Sequence, residues 1–419
     1  MTQTQAPYSP GLEGVLAGET SLALVDGEHG RLLYRGYPIG EVVERGTYAQ
    51  VAELLWTGKW PSSASLSCAA LPAEIVAILR QLPPSTNAMD ALRTAVSAGG
   101  ALMGIAWPPD LSQARTLIGF SPSALAAFAR MRDGLEPIDP DPDLPIPAGF
   151  LYQLTGRRPD AATARALDAY FIVAAEHGFN ASTFTARVIT STRSDLASAV
   201  VGAIGALKGP LHGGAPSEVV NQLHEMGSVG QAEAWMRAAL GRGERLMGFG
   251  HRVYRAYDPR AAALRHVAEG LAGAADRLQM AVSVEEIALR LLAEHRPTRV
   301  IKTNVEYYAA AVLQGIGLPS ALFPATFALA RHAGWTAHCL EQVEAGRLIR
   351  PDVRYVGPPE RHLPAGAWSR IMTDAGRSPK PWFTSLAAES PQAGVANEAP
   401  DAQDEAVASE EGEEETSER

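Results

Sequence analysis

Apolar residues along this chain recur mainly at spacings of three and four, the signature of helices. The first 60 residues are mixed. LALVDGEHGRLLYRGYPIG (residues 22–40) reads as two short strands, with the turn at Val25-Asp26-Gly27 and the second strand at Leu32–Tyr34. A helix is expected near Thr47–Leu55, where Val51, Leu54 and Leu55 share a face. Beyond it, Ala-rich helical segments alternate with Gly and Pro, and no internal repeat is visible. Glu136–Pro147 holds five prolines and three aspartates and reads as a loop.

Asp160, after Pro159, is placed to cap a helix in which Leu167, Phe171 and Ala174 share a face. Gly178 should stop that helix, leaving His177 in its last turn. Leu196–Leu207 is apolar and rich in Ala and Gly, which suits a close helix–helix or subunit contact. The longest uncharged run, Tyr307–Ala330, carries Gly315, Gly317, Pro319 and Pro324. These divide it into two shorter buried helices and argue against a membrane span.

Charge changes the picture only at one end. The net charge is −10, and residues 385–419 hold eleven acidic residues and one basic residue. The other 384 residues balance at zero, which argues against a nucleic-acid binder. The tail has too few large apolar groups to offset chain entropy and is expected to be disordered. Two cysteines, Cys68 and Cys339, exclude a disulfide framework and a Cys-rich zinc site. With no signal-peptide pattern at the start, a reducing, cytoplasmic setting is the simplest expectation.

Candidate chemistry gathers around three histidines that each adjoin a glycine: His177 in EHGFNASTF, His212 in GPLHGGAP and His251 in MGFGHRVYRAYDPR. Glycine lets a ligand approach the backbone, and imidazole moves protons near neutral pH. The competing reading of each is a histidine hydrogen-bonded at a helix end. Arg252, Arg255 and Arg260 follow His251 within nine residues, with Arg331 and Arg350 further on. Guanidinium groups bind carboxylates in bidentate fashion, so a small polyanionic substrate is one reading. Solvated helix arginines are the other. Glu306, in KTNVEYY, enters an apolar segment. It is either a base with a raised pKa or an ordinary acid at a helix N-terminus.

Taken in order, GLEGVLAGET, VDGEHGRLLYRGYPI, HGFNASTFTAR, KGPLHGG, GFGHRVYRAYDPRA, NVEYYAAAVLQGIGLP, ARHAGWTAHCLEQ and IRPDVRYVG resemble the citrate synthases, including the 2-methylcitrate synthases. The likeness covers roughly residues 11–384. It implies an all-α, citrate synthase-like fold with a short hairpin near the N-terminus. A large helical domain (1–212 and 316–384) would be interrupted by a smaller one on the CoA side of the cleft (213–315); the acidic tail, 385–419, lies beyond the likeness and is expected to be disordered from its composition alone. The likeness also implies a homodimer and closure over the first substrate to create the site for the second.

The family joins the methyl carbon of acetyl-CoA to the keto carbon of oxaloacetate and hydrolyses the thioester to citrate and CoA. By resemblance, His212 hydrogen-bonds the thioester carbonyl, Glu306 removes the methyl proton, and His251 polarises the ketone. His177, Arg260 and Arg331 match groups that hold oxaloacetate, and Arg350 matches one reaching the site from the other subunit. Gly248, Gly250, Arg255 and Lys302 fall where CoA is held. No metal or other cofactor is implied, since CoA enters as a substrate thioester. One departure stands out: most members carry aspartate where this chain has Glu306, and one methylene moves a carboxylate by about an ångström.

The nearest alternative is 2-methylcitrate synthesis from propionyl-CoA. A metalloenzyme built on His212, His251 and Glu306 has the right ligand types but lacks a short-spaced pair. A non-catalytic metabolite-binding homologue is the third reading.

Overall fold

The computed structural model describes residues 8–213, 215–251, 254, 256–271 and 275–362. The chain divides into two units, residues 1–351 and 352–419. The second is described over residues 352–362, where the Tyr355 hydroxyl donates to the Pro358 carbonyl at 2.9 Å. The expected acidic tail, 385–419, lies outside the described residues.

The first unit opens with an antiparallel sheet of three strands: β1 (Ala23–Asp26), β2 (Arg31–Tyr34) and β3 (Tyr37–Pro38). Ala23 pairs with Tyr34, Asp26 with Arg31, and Leu33 with Pro38. The expected turn is thus displaced. Val25 and Asp26 are inside β1, and the turn is residues 27–30, because the Asp26 side chain accepts from the His29 backbone and the Gly30 φ of +62° reverses the chain. The expected second strand is found, and a third, short strand joins it.

Helices follow without interruption by further strands among the described residues. They are α1 (Ile39–Arg45), α2 (Tyr48–Thr57), α3 (Ala73–Arg80), α4 (Ala88–Leu102) and α5 (Leu111–Arg132). Next come α6 (Ile146–Thr155), α7 (Ala161–Ala174), α8 (Ala181–Ser191), α9 (Leu196–Lys208) and α10 (Ala215–Met226). The last are α11 (Val229–Gly241), α12 (Pro259–Glu269), α13 (Ala275–His295), α14 (Val305–Gly315) and α15 (Phe323–Ala345). The starts follow their caps. Thr47 forms a capping box with Gln50 at α2, and Asp160 accepts from Thr163 N at 2.8 Å at α7. The uncharged run Tyr307–Ala330 does split, between α14 and α15, and Pro324 sits in the first turn of α15.

The α15 helix is the axis of the fold. It packs against α2, α4, α5, α7, α8 and α9, and its side chains are buried almost throughout from Phe323 to Cys339. A helix enclosed on all sides has no polar stripe to give to water. Its polar groups are therefore satisfied internally: the Trp56 indole donates to Thr336 Oγ1 at 2.8 Å, and the Tyr48 hydroxyl lies 3.0 Å from the Ala330 carbonyl. Gly334 lets α15 approach the end of α7. A Cβ there would lie 2.3 Å from the Ala175 carbonyl oxygen and 2.4 Å from Glu176 Oε2.

The end of α7 differs from the expectation. The helix stops at Ala174, so His177 lies beyond it rather than in its last turn. Tertiary partners, not Gly178 alone, end it. The Tyr34 hydroxyl reaches the carbonyls of Ile172 and Glu176, at 3.1 and 2.9 Å, and the Glu176 carboxylate takes the Gly178 N–H at 2.6 Å.

Candidate active site

Two short backbone strips bring the chemistry together. Gly250 N donates to the Lys302 carbonyl at 2.7 Å, and Asn304 N donates to the Gly248 carbonyl at 2.9 Å. The Asn304 amide adds a bond to the Gly250 carbonyl at 2.8 Å. This pairing sets His251 beside the start of α14, which carries Glu306. Gly248 has φ +86°, and a Cβ on it would lie 2.8 Å from the Tyr307 ring, so the approach requires glycine. The hairpin turn supports the same loop: Ala256 N reaches the Gly27 carbonyl at 3.5 Å.

Asp258 organises the centre. It caps α12, accepting from Arg260 N at 3.0 Å, and grips the Arg260 guanidinium through Nε at 3.1 Å and Nη2 at 2.8 Å. It also accepts from Val305 N at 3.1 Å, so one buried carboxylate ties α12 to the first turn of α14. Burial works most strongly against the Arg260 charge, but the charge and hydrogen bonding of Asp258, with Tyr254 and Glu306 adding, together outweigh it and hold the guanidinium above its ordinary range.

The rings of His177 and His251 meet edge to face at 5.4 Å. Tyr254 joins both, its hydroxyl 3.2 Å from His177 Nε2 and its backbone N–H donating to His251 Nδ1 at 3.1 Å. Arg260 Nη2 lies 3.4 Å from the other ring nitrogen, Nε2, so the Tyr254 N–H and the guanidinium face the two nitrogens of this ring.

His212 is set by α8. Its Nε2 accepts the Ser182 backbone N–H at 3.3 Å, which puts the ring's proton on Nδ1. The Ser182 hydroxyl, 2.9 Å from the same Nε2, donates to Asn180 Oδ1 at 2.8 Å and accepts from the Trp335 indole at 3.1 Å. Burial, with the Arg331 charge adding, pushes His212 down to about 4. Burial and Arg260 push His251 down to about 4 as well. Burial, then Arg260, His251 and Arg331, holds His177 well below the usual histidine range. All three are neutral at pH 7.

Glu306 Oε2 is buried and has no hydrogen-bond partner among the described residues. Burial raises its pKa, Arg260 opposes and Asp258 adds to the rise. Arg331 is fully enclosed. It donates through Nε to the Ala174 carbonyl, and its charge acts on His177, His212 and Glu306.

The structure therefore gathers His177, His212, His251, Arg260, Glu306 and Arg331 around one centre. Gly248 and Gly250 line the paired strip, and Lys302 is exposed on it. Arg350 is exposed on the segment after α15 and is not part of its own chain's cluster. Arg252 and Arg255 lie outside the described residues. Sequence reasoning missed Asp258, Tyr254 and Ser182. The Asp-Pro pair at a helix start was the available signal for Asp258; Tyr254 and Ser182 gave none. Among the described residues no group of His, Cys, Asp and Glu is arranged to hold a metal, so His212, His251 and Glu306 form no metal triad there. No described helix is long and apolar enough to cross a membrane.

In a mainly helical body, the centre thus combines three neutral histidines, two buried arginines and a carboxylate whose pKa is raised. Comparison with known proteins gives the family. The family model "Citrate synthase, C-terminal domain" matches residues 11–352. A putative citrate synthase 2 of Mycobacterium tuberculosis is 42% identical, covering 90% of this chain and all of its own length. The 2-methylcitrate synthase of the same organism is 38% identical, over 84% of this chain and 92% of that protein. Among solved structures, citrate synthase from Thermoplasma acidophilum, in ternary complex with carboxymethyl coenzyme A and oxaloacetate, superposes with a TM-score of 0.78 at 30% identity, over 86% of this chain and 99% of that one. The protein belongs to the citrate synthase family, whose members are condensing enzymes acting on oxaloacetate and an acyl-CoA.

Proposed function

We propose that this chain is an active citrate synthase that condenses acetyl-CoA with oxaloacetate and hydrolyses the thioester to citrate and CoA. The observation that carries the reading is the set of protonation states. His212 holds its proton on Nδ1, while Glu306 has a buried carboxylate oxygen with no partner among the described residues.

In this reading Arg260, Arg331 and His177 hold the two carboxylates of oxaloacetate, with the partner subunit's Arg350 completing the set in a cytoplasmic homodimer. His251 and Arg260 polarise the ketone. Glu306 takes a proton from the acyl methyl group, and the developing enolate oxygen meets the Nδ1–H of His212. The carbon–carbon bond forms as His251 gives its proton to the new alkoxide. A carboxylate alone is a poor base for a thioester α-proton. A prepositioned donor at the oxyanion makes it adequate. Gly248, Gly250, Lys302 and Arg255 would hold CoA, and a small domain of residues 213–315 would close on a large one of residues 1–212 and 316–384 to exclude water. Imidazole and guanidinium provide the electrophilic assistance, so the scheme calls on no metal or further cofactor.

The 38% identity to a 2-methylcitrate synthase supports a second reading, with propionyl-CoA as donor. One assay decides: CoA release from oxaloacetate with acetyl-CoA and propionyl-CoA in turn. Faster turnover of acetyl-CoA supports the proposal, faster turnover of propionyl-CoA supports the second reading, and release from neither removes both.

A further inference from the structure

A second buried network lies behind His177, outside the set that meets substrate. Glu176 is fully buried, and its Oε1 accepts from Gly178 N at 2.6 Å and from His338 Nε2 at 2.9 Å. The proton assignment is fixed by the far side of the ring. Arg187 Nη1 lies 3.0 Å from His338 Nδ1, and an arginine only donates. His338 therefore accepts from Arg187 and donates its Nε2–H to Glu176. Arg187 is held in turn by Glu341 at 2.6 Å and by Gln342 at 3.1 Å, and its guanidinium stacks on Phe179 at 4.6 Å. Glu341 ends the chain at Ser21, accepting from its backbone and hydroxyl at 2.8 and 2.9 Å.

The backbone of Glu176 is also pinned. Its N–H donates to the Tyr34 hydroxyl at 3.3 Å, and its carbonyl accepts from that hydroxyl at 2.9 Å. Residue 176 is thus fixed through both main chain and side chain, and residue 178 is fixed to that same carboxylate. His177 lies between them, with no helix to hold it, since α7 has already ended. Glu176 also counters the buried Arg331 charge.

We propose that Glu176 and His338 are positioning residues: the pair clamps the backbone on either side of His177 and so sets the imidazole that receives oxaloacetate. This rests on the functional reading above. A clamp on an oxaloacetate ligand predicts a defect confined to that substrate. A merely structural role lowers the active fraction and leaves both KM values alone.

The experiment compares His338→Leu, His338→Gln and Glu176→Gln with the unmutated protein in the CoA-release assay, with unfolding midpoints recorded. His338→Leu and Glu176→Gln should raise the oxaloacetate KM about tenfold or more, as expected for losing a hydrogen bond to a charged group, while the acyl-CoA KM stays within about twofold. His338→Gln supplies both a donor for Glu176 and an acceptor for Arg187, and should restore a near-normal oxaloacetate KM. An unchanged oxaloacetate KM in both His338→Leu and Glu176→Gln, or a His338→Gln variant as impaired as His338→Leu, overturns the inference alone. Unmutated protein that neither turns over nor binds oxaloacetate in calorimetry overturns the functional reading and the inference with it.

Discussion

Ser182 donates its backbone N–H to Nε2 of His212 at 3.3 Å, and that one bond decides which imidazole nitrogen carries a proton. A backbone donor cannot rotate away, so the assignment does not depend on the hydroxyl of the same serine. With the proton on Nδ1 and the ring neutral, His212 can donate to an oxyanion without first losing a charge. His212→Ala should lower kcat on the order of 100- to 1000-fold, the usual cost of removing one oxyanion donor. The oxaloacetate KM should change little. Steady-state kinetics with each substrate varied in turn checks both.

Glu306 carries the proton abstraction in this scheme. Glu306→Gln keeps the volume and removes the base, and citrate formation should be nearly abolished; activity close to normal would remove Glu306 from that role. Glu306→Asp keeps the carboxylate but, one methylene shorter, retracts it by about an ångström in this site. It should lower kcat on the order of 100-fold. An Asp variant faster than the unmutated protein would show that the backbone is not adjusted to the longer side chain.

The buried titrating groups fix the sign of two pH effects. Burial lifts Glu306 above its ordinary value, so kcat/KM should fall as pH drops through that raised pKa, with a one-proton slope. His212 and His251, pushed down to about 4, should add no limb near 6.5. For stability, the unfolded chain binds protons on these histidines between 6.5 and about 4 while the folded chain does not, so their contribution weakens as pH falls through that window. Glu306 acts oppositely: its raised pKa favours the folded state at low pH, and that gain is lost as pH rises through the folded value. Urea midpoints measured from about pH 7 to about pH 4 should decline, because four histidines held down by burial (His177, His212, His251 and His332) oppose two carboxylates raised by it (Glu306 and Asp168).

How much of this was legible beforehand depended on where each signal resides. His177, His212, His251, Arg260, Glu306 and Arg331 stand in motifs whose order matched a known family, and the structure gathers them. The α7 cap at Asp160 was readable because an N-cap is a local event, and the helix after Thr47 was readable from its apolar spacing. The end of α7 was not readable, because Tyr34 sets it from 138 residues away. Asp258 was missed for a similar reason. Its chain neighbours explain the capping of α12, but its bond to Val305 N spans 47 positions and exists only in the folded chain. Glu176 and His338 are 162 positions apart and carry no spacing signal at all.

Asp258 and Arg260 form a pair buried to within a few per cent of complete enclosure. Removing one partner of such a pair leaves an uncompensated charge. Asp258→Asn should therefore destabilise by about 3–5 kcal/mol, measured by urea unfolding. The same change frees Arg260 from its fork and Val305 from its acceptor, so the oxaloacetate KM should rise as well. A variant with normal stability and normal KM would show that Arg260 is held by something other than Asp258.

Gly248 offers a test of the paired strip itself. Its φ of +86° costs any other residue about 1–3 kcal/mol. A Cβ would in addition meet Tyr307 at Cδ2 (2.8 Å), Cβ (2.9 Å) and Cα (3.2 Å), the last of these being main chain that cannot swing aside. Overpacking of this kind typically adds about 1–3 kcal/mol. Gly243 supplies the control, since its φ is +78° and an added methyl group would have nothing within 4 Å. Gly243→Ala should therefore report the backbone cost alone, and Gly248→Ala should exceed it in urea unfolding by the cost of the clash. Only the Gly248 variant should also lower kcat, because the strip it distorts sets His251 beside the start of α14. Equal stability loss in the two variants, with kcat intact in both, would mean that this approach to Tyr307 does not hold the two catalytic groups in register.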